Sequence, residues 1–428
     1  MAVQTLNVTF DGVTDVARLP GETSVEWFGT PPDKTSIGQY SVYLSSQVDS
    51  LDAEASLTGS NWRINYFRIA GDDHDTTIKD LDNGADRSIT FLELGYDSDV
   101  QLISTRAQYI SGWDGDKHVV KLGNEQQGTT SSINLFAKEN VVTTGNAWVG
   151  AIETGGSLGD TIKIGSGGAG SVFTGGGNDK VMTTTGFVAT IRTGEGSDKI
   201  NTGKGWVESI ATGGANDIVK IGVGGAGQVM LGGGNDKIHL NETAPDFGLD
   251  IRGQSGVDTV YFSGFSVGVT FSLDTTAYQN VATDKGWFRQ SSTDNVSGTG
   301  KADKLTGNDG KNTLFGKNGN DRLDGLAGND KLFGGKGKDK LAGGEGNDIL
   351  IGQGGADVFI FGSKGGTDKV RGFQDGTDIL RIADHSGGLS GLSISTSNGD
   401  KVIDYDGGTI VLVNGAGVTL TNADFEFV

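Results

Sequence analysis

Hydrophobic residues return at fixed intervals through most of this 428-residue chain. Between residues 298 and 360 one large apolar residue recurs every nine positions, at Leu305, Leu314, Leu323, Leu332, Leu341, Leu350 and Phe359. Each interval leaves room for a loop of about six residues and a strand of about three, which is too short to bury its own apolar side chain. The pattern therefore predicts stacked repeats that share an inner hydrophobic ladder.

A second, 19-residue interval precedes that block. Glycine-rich loops end in an aspartate at regular spacing, and the segment GQSGVD ends in a further one, which gives the series Asp160, Asp179, Asp198, Asp217, Asp236 and Asp258. An apolar residue stands two positions after each of the first five, at Ile162, Val181, Ile200, Val219 and Ile238. This pattern predicts a parallel β-solenoid over residues 88–258, with rungs stacked about 4.8 Å apart.

The rest of the chain lacks such regularity. Short alternating runs such as TLNVTF and QYSVYL predict β-strands in residues 1–87, as a small N-terminal β-rich domain or cap. Residues 259–297 form a connector between the two arrays, and residues 361–428 form a C-terminal β-rich cap. The overall fold class is therefore all-β, with a parallel β-solenoid followed by the nine-residue repeats.

The polar positions of the nine-residue repeats follow the pattern G-G-x-G-x-D-x-U-x. The acidic position is occupied by Asp303, Asn312, Asp321, Asp330, Asp339, Asp348 and Asp357. The stretch resembles the calcium-binding β-roll of RTX proteins (the hemolysin-type nonapeptide repeat). A flexible Gly/Asp-rich linker is the alternative, but a linker does not keep a leucine at a period of nine.

Calcium prefers six to eight hard oxygen ligands, which aspartates and backbone carbonyls supply. Because successive loops alternate between two edges, each ion is expected to bridge loops two repeats apart. One edge carries Asp303, Asp321, Asp339 and Asp357, with three sites between them, and the other carries Asn312, Asp330 and Asp348, with two. The aspartates of the 19-residue rungs are further candidate calcium ligands; rungs turned by hydrogen-bonded aspartates without a metal are the alternative there.

Composition narrows the function classes. The net charge of −20 disfavours nucleic acid and anionic membranes as partners, and no segment is long and apolar enough to insert into a membrane. The absence of cysteine removes disulfides and thiolate chemistry. No basic region followed by an apolar run stands at the N-terminus, so no signal peptide is expected there.

The resemblance to RTX proteins carries further expectations. The ending LTNADFEFV is similar to the C-terminal secretion signal of type I secretion substrates. The resemblance implies an extracellular, bacterial protein that is secreted by a type I exporter and that folds when it binds calcium ions. Glycans or a cell surface are further candidate partners, and the Asp72–Asp75 cluster with Trp27, Trp62 and Tyr66 marks residues 1–87 as a candidate binding region.

Catalytic motifs are weak by comparison. Two G-x-S-x-G matches centre on Ser157 and Ser266, but neither has the strand-turn-helix context of a nucleophile elbow. No H-E-x-x-H motif occurs among the four histidines. A structural or adhesive role at the cell surface or in a matrix is therefore favoured. The alternative is an extracellular polysaccharide-active enzyme, of lyase or epimerase type, on a parallel β-helix with an RTX tail.

Overall fold

The computed structural model describes residues 88–428, except 104–106, 124–128, 243–247, 284, 384 and 386, together with seven strands between residues 4 and 80. The side chains of Trp27, Trp62, Tyr66 and the Asp72–Asp75 cluster lie outside the described residues. The chain divides into two compact units. Unit 1 comprises Met1–Asp217 with Gly224–Ala226, and unit 2 comprises Ile218–Val223 with Gly227–Val428.

The strands of unit 1 are β1 (Gln4–Thr9), β2 (Val16–Arg18), β3 (Ser24–Trp27), β4 (Gly38–Ser45), β5 (Ala53–Thr58), β6 (Trp62–Ala70), β7 (His74–Asp80), β8 (Ser88–Leu94), β9 (Ser98–Ile103), β10 (Ala107–Gly112), β11 (Lys117–Leu122), β12 (Thr130–Leu135), β13 (Glu139–Thr143), β14 (Val149–Thr154), β15 (Thr161–Ile164), β16 (Ala169–Phe173), β17 (Lys180–Thr183), β18 (Val188–Glu195), β19 (Lys199–Asn201) and β20 (Val207–Gly214).

The strands of unit 2 are β21 (Ile218–Lys220), β22 (Ala226–Gly234), β23 (Lys237–Asn241), β24 (Gly248–Gly256), β25 (Thr259–Gly264), β26 (Thr270–Ser272), β27 (Gln279–Asn280), β28 (Trp287–Ser291), β29 (Asn295–Ser297), β30 (Lys304–Thr306), β31 (Thr313–Asn318), β32 (Arg322–Asp324), β33 (Lys331–Lys336), β34 (Lys340–Ala342), β35 (Ile349–Gly354), β36 (Val358–Phe361), β37 (Gly366–Arg371), β38 (Ile379–Ile382), β39 (Ser393–Ser397), β40 (Asp400–Tyr405), β41 (Gly408–Val413) and β42 (Phe425–Phe427).

Successive rungs of unit 1 pair in parallel, strand on strand, so that equivalent apolar residues stack. One buried column contains Ile110, Ile133, Ile152, Val172, Ile191 and Ile210. The facing sheet contributes Val120, Val142, Ile162, Val181 and Ile200. Alternate side chains of each strand point into this core, as the period of two in a strand requires. The expected parallel β-solenoid is confirmed.

The same parallel pairing includes strands from the first 87 residues. Strand β6 pairs in parallel with β8, and β7 pairs in parallel with β9. The first strands also form antiparallel pairs, β1 with β2 and β3 with β4, although β1 pairs in parallel with β5 and β4 with β6. The boundary at residue 87 stays a prediction, as do the other domain boundaries.

Unit 2 contains the nine-residue repeats as a β-roll. Its inner ladder alternates between two sheets, so each leucine stacks on the apolar residue two repeats away. One column contains Leu305, Leu323, Leu341, Phe359 and Leu380, and the other contains Val296, Leu314, Leu332, Leu350 and Val370. All of these side chains are buried. The nine-residue period therefore produces the ladder that the sequence predicts.

The C-terminal part of unit 2 ends the roll with an antiparallel meander. Strands β39, β40 and β41 form this meander, while β42 adds to β38 in parallel. Two short 3-10 helices, Leu389–Gly391 and Asn422–Asp424, are the only helices among the described residues. Within that described part, no helix has the length and apolar character needed to cross a membrane.

Candidate calcium sites

The acidic residues of the repeats form a column along one edge of the roll. The backbone N–H of each aspartate donates to Oδ1 of the aspartate on the next rung. The N–O distances are 2.7 Å from Asp303 to Asp321, 2.8 Å from Asp321 to Asp339, and 2.9 Å from Asp339 to Asp357. The column continues to Asp378, at 2.9 Å from the nitrogen of Asp357. Every second loop therefore lies on this edge, where its aspartate contacts the aspartate of the next rung.

The opposite edge repeats the arrangement. The nitrogen of Asn312 donates to Asp330 Oδ1 at 2.8 Å, and that of Asp330 donates to Asp348 Oδ1 at 2.8 Å. The nitrogen of Asp348 donates to Asp368 Oδ1 at 2.9 Å. Loops therefore alternate between edges, which is the arrangement on which the pairing of calcium loops depends.

The second carboxylate oxygen, Oδ2, has no hydrogen-bond partner in the interior loops. It is buried and unpaired in Asp321, Asp330, Asp339, Asp348 and Asp357 of the roll, and also in Asp258 before it. A buried carboxylate oxygen without a donor is costly, because it has given up water and received nothing in exchange. An anionic oxygen of this kind has the chemistry of a ligand for a hard cation.

A glycine five residues earlier makes the space into which this oxygen points. A Cβ on Gly316 would lie 2.3 Å from Asp321 Oδ2 and 2.6 Å from the carbonyl oxygen of Gly334. A carboxylate oxygen and a carbonyl oxygen from the next rung therefore converge on one place that only glycine leaves open. Hard oxygens from side chain and backbone are the ligands that Ca²⁺ takes, so these residues fit a calcium ion.

The backbone explains why the oxygen is unpaired. Four residues before each interior aspartate, the chain adopts a positive φ, even where the residue is not glycine: Lys317 (82°), Leu326 (72°) and Gln353 (71°). In the left-handed region bulky residues are uncommon, and such strain clusters at ligand-binding sites. We infer that this turn directs the N–H of that residue away from the carboxylate.

The end loops lack this turn and satisfy the oxygen locally. In these loops the residue four positions before the aspartate donates its N–H to Oδ2. Thr299 donates to Asp303 at 2.6 Å, and Gln374 donates to Asp378 at 2.8 Å. Asn308 donates in the same way to Asn312 Oδ1, at 2.7 Å. The interior loops therefore differ from the end loops in leaving Oδ2 without a donor.

Burial shifts the titration of the interior carboxylates. It raises the pKa of Asp321 and of Asp330 to about 7, and that of Asp357 to about 6. The pKa of Asp368 rises to about 8 for the same reason. Charge is disfavoured here because the carboxylates have lost water and neighbouring aspartates repel one another. A bound divalent ion would remove that cost.

The 19-residue rungs of unit 1 contain a similar column of aspartates, but a threonine stands close to Oδ2 in place of the glycine. Nitrogen atoms donate to Oδ1 along Asp160, Asp179, Asp198 and Asp217, at 2.7 to 2.8 Å. The glycine of the roll is replaced here by threonine, and Thr174 Oγ1 donates to Asp179 Oδ2. A hydroxyl therefore satisfies Asp179 without a metal, whereas Oδ2 of Asp160 and of Asp198 is buried without a hydrogen-bond partner, as in the roll. The remaining predicted ligands, Asp236 and Asp258, are joined in unit 2 at 3.0 Å.

Comparison with known proteins bears on the roll. The family model described as the RTX calcium-binding nonapeptide repeat (4 copies) matches residues 291–323, 306–341 and 333–363. These residues are RTX calcium-binding repeats. We call residues 291–363 the RTX block.

The structural matches are distant. One is the crystal structure of the extracellular lipase LipA from Serratia marcescens, with 18% identity, a TM-score of 0.24, and coverage of 57% of this chain and 45% of the lipase chain. The other is the solution structure of the AlgE6R3 subunit from the Azotobacter vinelandii mannuronan C5-epimerase, with 27% identity, a TM-score of 0.14, and coverage of 29% and 78% respectively. This chain spans less than half of the lipase, and neither TM-score supports an argument. No curated protein sequence matches the chain.

Sequence periodicity missed three members of the columns. Asp294 accepts from the nitrogen of Asp258 at 2.8 Å, and Asp368 and Asp378 extend both edges beyond the RTX block. Their separations from the preceding column residue are 36, 20 and 21 positions, which break the regular repeat periods. Each of the three is followed two positions later by an apolar residue, as Asp368 is by Val370. This spacing is the sequence signal by which they could have been found.

The two serine motifs gain no catalytic support from their surroundings. Ser266 Oγ donates to Glu242 Oε1 at 2.5 Å. Hydrogen bonds from Lys285 and Ser266 lower the pKa of Glu242 to about 2, which makes it too weak a base to activate a hydroxyl. Ser157 lies in an edge loop and lines a shallow groove with Tyr96, Phe136 and Lys138.

Proposed function

We propose that this chain is a secreted protein whose RTX block folds on extracellular calcium and which has a structural or adhesive role at a cell surface or in a matrix. The observation that carries the calcium step is the set of buried, unpaired Oδ2 atoms in the interior loops. Asp321, Asp330, Asp339, Asp348 and Asp357 would hold the ions, together with loop carbonyls such as that of Gly334.

Bound calcium would supply the positive charge that the columns lack. The stacked aspartates would then attract a shared ion instead of repelling one another, and the small inner ladder would no longer have to offset chain entropy alone. Affinities of about 10⁻⁴–10⁻³ M per site are expected, the range of extracellular modules. A protein exported unfolded from a low-calcium interior would fold only outside.

Circular dichroism tests the calcium step. The full chain should lose β signal in chelator and regain it at millimolar calcium. The double variant D321N/D339N should require more calcium than the wild type, while D324N, which changes a strand aspartate outside the columns, should behave as the wild type. A β signal that ignores both chelator and calcium would refute the proposal.

Export through a type I exporter rests on the resemblance of the final residues to such secretion signals. Deleting the C-terminal cap (361–428) should leave the protein inside the cell, whereas deleting the N-terminal region (1–87) should not prevent secretion. Secretion that survives the C-terminal deletion contradicts this part of the proposal. A screen of acidic polysaccharides for chain cleavage and for changed uronate stereochemistry separates the structural role from the polysaccharide-active enzyme, because only a lyase cleaves the polymer and only an epimerase changes its stereochemistry.

A further inference from the structure

A cluster of charged side chains occupies the outward face of three strands in unit 2. Asp250, on β24, is 6% exposed and is the centre of the cluster. Its Oδ2 accepts from Arg252 Nε at 3.0 Å and Nη2 at 2.9 Å, and from Arg289 Nη2 at 2.8 Å. Gln228 Nε2 donates to the same oxygen at 3.2 Å. We call these four residues the arginine cluster.

Strand register brings the cluster together. Gln228 on β22 is paired with Asp250, and Asp250 is paired with Arg289 on β28. Arg252 is two positions along β24, so its side chain is on the same face as that of Asp250. The four residues therefore come from strands far apart in sequence, and no local motif marks them.

Two exposed aromatic rings border the cluster. The Arg289 guanidinium lies 4.8 Å above the ring of Tyr278, and Tyr278 is 43% exposed. Trp287 is 44% exposed and is on the same face as Arg289, two positions earlier on β28. Trp287 is paired with Gly248, and a Cβ there would lie 2.6 Å from Tyr278 Cε1, so the glycine gives the tyrosine ring its place.

The cluster has more positive charge than its own carboxylate requires. Burial raises the pKa of Asp250, but the hydrogen bonds from Arg289, Arg252 and Gln228 outweigh it and hold that pKa below its ordinary value. One ionised carboxylate thus faces two guanidiniums, which leaves a local charge of about +1. Their side chains are 45% and 38% exposed for Arg252 and Arg289, so both are accessible to a ligand. Arg289 Nε is buried without an acceptor.

We propose that the arginine cluster binds a carboxylate group of an acidic polysaccharide. Guanidinium groups match a carboxylate with paired, charge-assisted hydrogen bonds, and a net charge of about +1 suits a single monoanionic group. The rings of Tyr278 and Trp287 offer flat apolar faces beside it, against which the C–H face of a sugar ring packs. The glycan is thereby held by charge on one side and by aromatic surface on the other.

Asp250 is a positioning residue: it fixes both arginines with its buried oxygen and leaves their outer donors available. A purely structural role would need no exposed guanidinium donors, since exposed ion pairs contribute little to stability.

Calorimetric titration of the calcium-loaded full chain with hexasaccharides tests the proposal. Oligouronates should bind, whereas a neutral glucose hexasaccharide should bind at least tenfold more weakly. R289Q and R252Q should each weaken oligouronate binding about tenfold or more, and R289K should weaken it although it keeps the charge, because lysine lacks the fork. The matched control is R192Q, since Arg192 also lies over an aromatic ring, that of Phe173, but is not part of the cluster.

Several results would overturn the proposal. They are the absence of oligouronate binding, equal binding of neutral and acidic hexasaccharides, equal or tighter binding of a sulfated hexasaccharide, and losses as large in R192Q as in R289Q. D250N separates positioning from folding: it should weaken oligouronate binding while the circular dichroism and calcium requirement stay those of the wild type. If D250N misfolds, R289K alone decides, because it leaves the charge on the buried carboxylate paired.

Discussion

Asn312 is the one column residue of the RTX block that is not an acid, and its hydrogen bonds show what the amide contributes. Its Nδ2 donates to the carbonyl oxygen of Asp294 at 2.8 Å and to Asn308 Oδ1 at 3.1 Å. An aspartate can donate neither bond when it is ionised. The first loop of this edge is therefore satisfied without a cation, unlike the loop of Asp330 on the next rung.

N312D should make the protein less stable without calcium and more responsive to it. Two hydrogen bonds would become contacts between oxygen atoms, at a cost of roughly 1–3 kcal/mol in chelator. The added carboxylate would then strengthen the calcium site shared with Asp330. Urea unfolding in chelator and in millimolar calcium measures both effects. A variant more stable than the wild type in chelator would contradict this account.

Leu326 offers a second test at this scale, because its φ of 72° is unfavourable for a residue with a branched side chain. L326G should relieve roughly 1–2 kcal/mol of left-handed strain and lose about 0.5–1 kcal/mol of chain entropy, so a net gain of up to about 1.5 kcal/mol is expected. The matched control A342G changes a residue of β34 outside the positive-φ positions and should destabilise by about 0.5–1 kcal/mol. Equal losses in both variants would show that the turn is unstrained.

At the scale of strands and loops, the two repeat periods were enough to predict the solenoid, its inner ladder and the alternation of loops between edges. These periods succeed because each rung places one acidic and one apolar residue at a fixed separation in sequence. They do not reveal which carboxylates are already satisfied: Thr174 next to Asp179, and Thr299 next to Asp303, are small local differences. The arginine cluster was invisible for another reason, since strand register, not sequence spacing, joins Asp250 to Arg289.

D339N should have opposite effects with and without calcium. In chelator it removes a buried carboxylate whose pKa burial has raised, so the variant should be more stable than the wild type by roughly 1 kcal/mol. In calcium it removes a ligand, and each weakened site should cost roughly 1.4–2.7 kcal/mol at ten to a hundred times its dissociation constant. Thermal unfolding in both conditions measures the reversal. The same sign in both would mean that this column does not bind calcium.

At the scale of the whole molecule, the net charge of −20 is unevenly distributed. Residues 298–360 contain nine acidic and nine basic side chains, so the acidic surplus lies elsewhere in the chain. Lys304, Lys331 and Lys340 are exposed strand residues, while the aspartates beside them are buried. Lys317 is the exception: it is half-buried, and its charge partly offsets the rise that burial causes in the pKa of Asp303. Overall neutrality of the segment therefore does not relieve the interior carboxylates, and their charge has to be met by an ion or by protons.

Without calcium, the protein should become more stable as the pH falls from 8 to 5. Burial raises the pKa of Asp321 and Asp330 to about 7 in the folded state, from an ordinary value of 3.8. A group whose pKa is raised by folding contributes stability below its unfolded pKa and loses it as the pH rises through its folded pKa. The contribution of these aspartates is thus complete below about pH 4 and is lost progressively between about pH 4 and 7.

Calcium should reverse that dependence, because ions and protons compete for the same oxygens. Urea unfolding at pH 5, 6, 7 and 8 should give a free energy of unfolding that falls with pH in chelator, and a calcium-induced gain that grows with pH. Relief of general acidic repulsion also favours low pH, so the double variant D321N/D330N is the control: its slope in chelator should be flatter than that of the wild type. An unchanged slope in this variant would assign the pH dependence to the surface and not to the columns.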